Sequence, residues 1–136
     1  IQTYNPEDIN LQDAINYRFK KNYSSHLSER KELGYPPFTR LCRLTFSGQN
    51  VDSVSKIANK ITKIFLQSRK FKVLGPVEAP ISKIKNKWRF HSFILASKNP
   101  PMDIQEYFYD NVGTKLLEKY YKDVNIKLDI DPLNML

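Results

Sequence analysis

The chain is poor in the residues that most catalytic and metal chemistry draws on. It has one cysteine, Cys42, so neither an internal disulfide nor a cysteine-rich zinc site can form. A lone cysteine suits a reducing, cytosolic setting. Histidine is limited to His26 and His91, which leaves little material for a histidine metal site or a Ser/His/Asp triad. Glycine occurs only at Gly34, Gly48, Gly75 and Gly113, and no two have the spacing of a G-x-G-x-x-G turn. A G-x-x-x-x-G-K-[ST] loop is missing too, so the sequence offers no phosphate cradle of its own. No stretch approaches the roughly 18 apolar residues of a membrane span, and no signal peptide is visible. The sequence opens on Ile1 rather than Met, which predicts a piece of a longer polypeptide.

What is present is an ordinary globular composition, 40% apolar and 26% charged, in a chain of 136 residues. That length predicts one domain with a real core. The net charge of +8 is unevenly placed: residues 53–102 hold 11 Lys/Arg against the single acid Glu78, whereas 103–136 hold four against seven. Such clustering favours a polyanionic partner; the competing reading is a surface charged only for solubility.

The apolar spacing predicts the elements. IQTY reads as the end of a short strand, broken by Asn5-Pro6. Ile9, Leu11, Ala14, Ile15, Tyr17 and Phe19 predict one helix. A second carries Tyr23, Leu27 and Leu33, with Ser24 or Ser25 as caps and Gly34 as its stop. Tyr35 and Phe38 around Pro36-Pro37 read as a rigid helix-to-strand joint. FTRLCRLTFS, residues 38–47, alternates as a strand, with Cys42, Leu44 and Phe46 on one face and Leu41, Arg43 and Thr45 on the other. Cys42 is then a core filler, since nothing near it in sequence activates a thiol. Asp52 or Ser53 caps a helix whose stripe of Val54, Ile57, Ala58, Ile61, Ile64 and Phe65 faces a core. VLGPVEAPIS, residues 73–82, holds two prolines and belongs at a sheet edge or in irregular backbone. WRFHSFILAS, residues 88–97, is a strand that Asn99-Pro100-Pro101 ends. Asp103 caps a helix with Ile104, Tyr107, Phe108, Leu116, Leu117 and Tyr120 at helical intervals. NIKLDID, residues 125–131, alternates as the last strand, up to Pro132. The order strand, helix, strand, strand, helix, strand predicts an α+β fold: two leading helices, then a ferredoxin-like split βαβ sheet. Its helices cover one face and leave the other open, as in several nucleic-acid-binding domains.

Within SKIKNKWRFH, residues 82–91, the cations Lys83, Lys85, Lys87 and Arg89 fall on alternate positions. A straight strand would set all four on one face. Asn86-Lys87 instead predicts a two-residue turn, pairing Lys85 with Trp88, Ile84 with Arg89 and Lys83 with Phe90. The cations then surround a hairpin tip beside Trp88, the only tryptophan, which suits single-stranded nucleic acid. The plainer reading makes them guards against edge-to-edge pairing. Asp129 and Asp131 have a spacing that can hold a divalent cation, but no third acid supports them, and solvated carboxylates are the commoner outcome.

Four stretches resemble one family in order. They are IQTYNPED, SERKELGYPPFTRL, VLGPVEAPISKIKNKWRF and LDIDPLNML, and the family is that of primosomal protein N′ (PriA), the replication-restart helicases. The resemblance implies a parent that is an ATP-dependent, 3′-to-5′ superfamily 2 DNA helicase of the bacterial cytoplasm, associated with the nucleoid. Such a parent would recognise stalled forks and assemble the primosome. Residues 1–8 would be the tail of its second helicase lobe, 9–37 a helical connector and 38–136 a C-terminal domain similar to a small ribosomal-protein fold. No cofactor is expected in this segment; ATP with Mg, and zinc, belong to other parts of such a parent. The implied partners are forked or single-stranded DNA, the single-stranded-DNA-binding protein, other primosome proteins and the rest of the helicase, with no membrane. Lys83, Lys85, Lys87, Trp88 and Arg89 are the expected DNA contacts. Lys98 is the expected contact for the acidic tail of the single-stranded-DNA-binding protein; in an alternative reading that docking is the main function. The chain departs from the family pattern at the tip, where Asn86 stands for a usual Gly and Lys partly replaces Arg. Lysine keeps the charge and loses the bidentate grip.

Overall fold

The computed structural model of the chain describes residues 2–98, 102–120 and 123–133, with the backbone alone at 114–120. It divides into two compact units, Ile1–Phe38 and Thr39–Leu136.

The first unit holds α1 (Ile9–Ile15) and α2 (Phe19–Leu33). Asp8 caps α1, its Oδ1 accepting the Asn10 and Leu11 amides at 2.9 and 3.1 Å. The first helix was expected to run to Phe19; it stops at Ile15 because Tyr17 takes a left-handed φ of 55°. The Arg18 amide then donates to the Asp13 carbonyl, and the chain restarts as α2. Ser24 and Ser25 lie inside α2 and cap nothing; the Ser24 hydroxyl donates back to the Lys20 carbonyl. Gly34 ends α2 as expected, at φ 66°, a conformation that a side chain would strain. Residues 2–4 form no strand, since an isolated extended segment has no ladder to join.

The second unit runs β1 (Thr39–Gly48), α3 (Val51–Ser68), β2 (Lys72–Ile84), β3 (Lys87–Ser97), α4 (Ile104–Tyr120) and β4 (Val124–Ile130). The strands lie in the order β2-β3-β1-β4, every neighbouring pair antiparallel, which is the split βαβ arrangement. Asn50 caps α3 by accepting the Ser53 amide; the expected Asp52 and Ser53 are the second and third residues of the helix. Asp103 caps α4 as expected, accepting the Gln105 and Glu106 amides. The ending of β3 at Asn99-Pro100-Pro101 and the side chains of Leu116, Leu117 and Tyr120 lie outside the described residues.

One sheet face and α3 enclose the core. Cys42, Leu44 and Phe46 are fully buried beside Ile94 and Ser92 of β3 and against Val54, Ile61 and Phe65 of α3. Each large side chain taken out of water there contributes about 1.5–3 kcal/mol. Thr62 and Ser92 satisfy one another across the interface at 2.6 Å. Phe65, Phe71 and Tyr107 meet at centroid distances of 5.0–5.3 Å, Phe71 edge-on to both others, and tie α4 to α3. Burial pushes the Cys42 thiol up to about 12, against a hydrogen bond to the Asp129 backbone that lowers it, so it is a core filler and no nucleophile.

The second face was expected to be open. At its centre Leu41, Arg43, His91 and Leu95 are buried. Arg43 is ion-paired there, its guanidinium reaching Asp129 at 2.9 Å.

Candidate nucleic-acid interface

The β2–β3 hairpin gathers the basic residues singled out from sequence. Its turn is Lys85-Asn86, both left-handed at φ 49° and 60°, a geometry that matches the twist of the flanking strands. The expected turn at Asn86-Lys87 is therefore displaced by one residue. Lys83 pairs with Trp88 and Ile84 with Lys87, in place of Phe90 and Arg89. β3 turns Ile94, Ser92 and Phe90 towards α3, and Lys83 lies on their face with the turn at either position.

The pairing moves by two residues, so each side chain keeps the face expected of it. Lys83 and Trp88 share the helix side and are now directly paired, with the Lys83 ammonium 5.0 Å from the indole centroid. Lys87 and Arg89 lie on the second face, with Lys85 at the turn itself. Arg89 donates to the Ile81 carbonyl at 3.4 Å, which steadies the irregular part of β2. All three lysines are exposed, whereas Trp88 and Arg89 are half-buried. Lys87 also borders a polar cleft of 690 Å³ with Gln49, Asn50, Ser53 and Asn125. Sequence reasoning missed those neighbours, because their link to Lys87 runs through the pairing of β1 with both β3 and β4.

β2 is an edge strand and irregular, as its prolines required. Its register shifts between Leu74 and Val77, where Gly75 has φ 97°. A Cβ on Gly75 would sit 2.8 Å from the His91 carbonyl, so the close approach of β2 to β3 needs glycine.

His91 is 1% exposed, and neither ring nitrogen has a hydrogen-bond partner among the described residues. Burial first, and then the cations Arg89 and Arg43, lower its pKa from 6.5 to about 4, so it is neutral in ordinary buffers.

Lys98 stands at the opposite end of β3 from Trp88, roughly 30 Å away at strand rise, so the two predicted sites are not brought together. It lines an 830 Å³ cleft with Arg40 and three carboxylates, Asp103, Glu106 and Asp131. Arg40 already binds Asp131 at 2.7 Å. Asp129 and Asp131, considered as a cation site, are each paired with an arginine, and no cluster suited to a metal occurs among the described residues. No helix among the described residues is long and apolar enough to cross a membrane.

The fold and the charge together define a basic α+β domain built on a split βαβ sheet. A family model described as "Primosomal protein N C-terminal domain" matches residues 31–133, and the chain belongs to that family. Replication restart protein PriA of Bacillus subtilis is 28% identical over 144 aligned positions, which cover 100% of this chain and 17% of the relative. The protein of the same name from Thermotoga maritima is 36% identical over 94 positions, covering 69% and 12%. That from Rickettsia prowazekii is 30% identical over 132, covering 97% and 19%. The chain thus spans less than a fifth of the length of these relatives.

Proposed function

We propose that this chain is the DNA-binding accessory domain of a superfamily 2, ATP-dependent 3′-to-5′ helicase that recognises stalled replication forks and restarts replication. The observation that supports this most directly is the hairpin tip. Three exposed lysines and Arg89 surround a half-buried tryptophan there, on a domain of the primosomal protein N family. Phosphates are met by the cations. One indole face carries Lys83, so a base stacks on the other. In this reading residues 1–8 end the second helicase lobe, 9–37 connect it and 38–136 form the accessory domain. ATP with Mg, and zinc, are held elsewhere in the parent. The parent acts in the bacterial cytoplasm at the nucleoid, with the single-stranded-DNA-binding protein and other primosome proteins as partners.

A salt titration against forked and single-stranded DNA, followed by Trp88 fluorescence, tests the reading. Replacing Lys83, Lys85, Lys87 and Arg89 with alanine is expected to flatten the salt slope by about 3.6 on duplex, since each lost phosphate contact removes roughly 0.9. Equal binding by both proteins would reduce the lysines to guards of a hairpin edge. The alternative, reception of an acidic tail beside Lys98, draws support from the adjacent Arg40 and is opposed by the three carboxylates of that cleft. It predicts peptide binding that survives loss of the tip and fails in Lys98→Ala.

A further inference from the structure

The α1–α2 pair is built inside out. Its internal contacts are polar: Asn10 Oδ1 accepts from Asn22 Nδ2 at 2.9 Å and meets His26 Nε2 at 2.7 Å, and Asp13 holds Arg18. Its aromatic side chains point away. Tyr17, Phe19 and Tyr23 are 82%, 59% and 66% exposed, and α2 buries no residue at all. The three form one patch, since Tyr17 meets Phe19 edge-on at 5.9 Å and Tyr23 lies one helical turn after Phe19. A 15-residue helix without a buried face is marginal by itself, and an exposed aromatic patch marks an interface.

Charge and area indicate what covers it. Residues 1–38 hold five Lys/Arg and five Asp/Glu, so no field draws a polyanion to this unit. The three rings offer roughly 400 Å² of surface, about half of what one partner contributes to a stable complex between separate molecules. Such a patch suffices only when a covalent tether raises the effective concentration of its target. The relatives supply the tether, because more than four-fifths of each lies outside the matched segment, while those from Bacillus and Rickettsia align through 97% or more of this chain.

We propose that Tyr17, Phe19 and Tyr23 dock on an apolar surface of the polypeptide that precedes this chain in its parent. They fasten α1–α2 there as an internal interface and prevent it from acting as a free linker. The inference rests on the reading above, that the chain is one domain of a longer helicase. Hydrogen exchange of the α2 amides is the test, measured in the 136-residue chain and in the full-length protein, each with and without the combined Tyr17→Ser, Phe19→Ser and Tyr23→Ser changes. The full-length protein is expected to exchange at α2 at least about tenfold more slowly than the short chain. The triple change is expected to abolish that difference and leave the amides of β1 and β3 as slow as before. Equal α2 rates in the two proteins would overturn the proposal. So would slowing in the short chain that rises with its concentration, which means a second copy, or slowing that appears only with forked DNA. An expressed parent without ATPase activity would remove the helicase reading and leave the α2 comparison to be judged separately.

Discussion

Residues 1–38 and 39–136 solve opposite problems with similar amino acids. The first unit turns polar groups inward and aromatics outward and has no net charge; the second buries its apolar residues against α3 and carries the whole excess of eight positive charges. Helix propensity does not separate them, since both contain well-formed helices with clear ends. Burial does. α3 has six buried residues and a sheet to rest on, whereas α2 has none. A segment can therefore have good local structure and still be energetically incomplete.

The comparison breaks most readily at Phe46. Phe46→Ala is expected to destabilise the second unit by about 3–5 kcal/mol, seen as an earlier urea midpoint in Trp88 fluorescence. An effect below about 1 kcal/mol would mean that the sheet core is far looser than its full burial implies.

The next effect is set by pH. His91 titrates near 6.5 when unfolded and near 4 when folded, so between those values the unfolded chain holds more protons. Stability falls as pH drops from 6.5 towards 4, by about 3 kcal/mol across the window. His91→Gln is expected to remove that part of the slope, read from urea midpoints at several pH values. Identical slopes would place protonation elsewhere.

A smaller change is expected at the tip. Lys83→Ala takes away a cation–π contact of about 0.5–1 kcal/mol and alters the Trp88 emission without unfolding the sheet. The smallest sharpens the contrast itself. Tyr17→Ser, Phe19→Ser and Tyr23→Ser are each expected to shift the stability of the isolated chain by less than about 0.5 kcal/mol. Losses near those of a core aromatic would show that the patch is already covered within this chain.

Sequence made the second unit legible because two periodicities are unmixed there. Cys42, Leu44 and Phe46 alternate cleanly, and Val54 to Phe65 keep helical spacing, so strands, helix and their order follow. Turn register was harder. Asn86 marks a turn but suits either central position, and the cations on both sides of it do not distinguish the two. The paired state of Asp129 depends on Arg43, 86 residues away, and no local pattern encodes that. α1 ended early for a similar reason, because a left-handed Tyr17 is a rare choice that apolar spacing does not announce.

Cys42 has a practical consequence. A fully buried thiol held near pKa 12 stays protonated and out of reach, so maleimides pass it by while the domain is folded. A cysteine introduced at Lys85 would then be the sole reactive position, and a dye or crosslinker can be set on the hairpin tip with the native residue left in place.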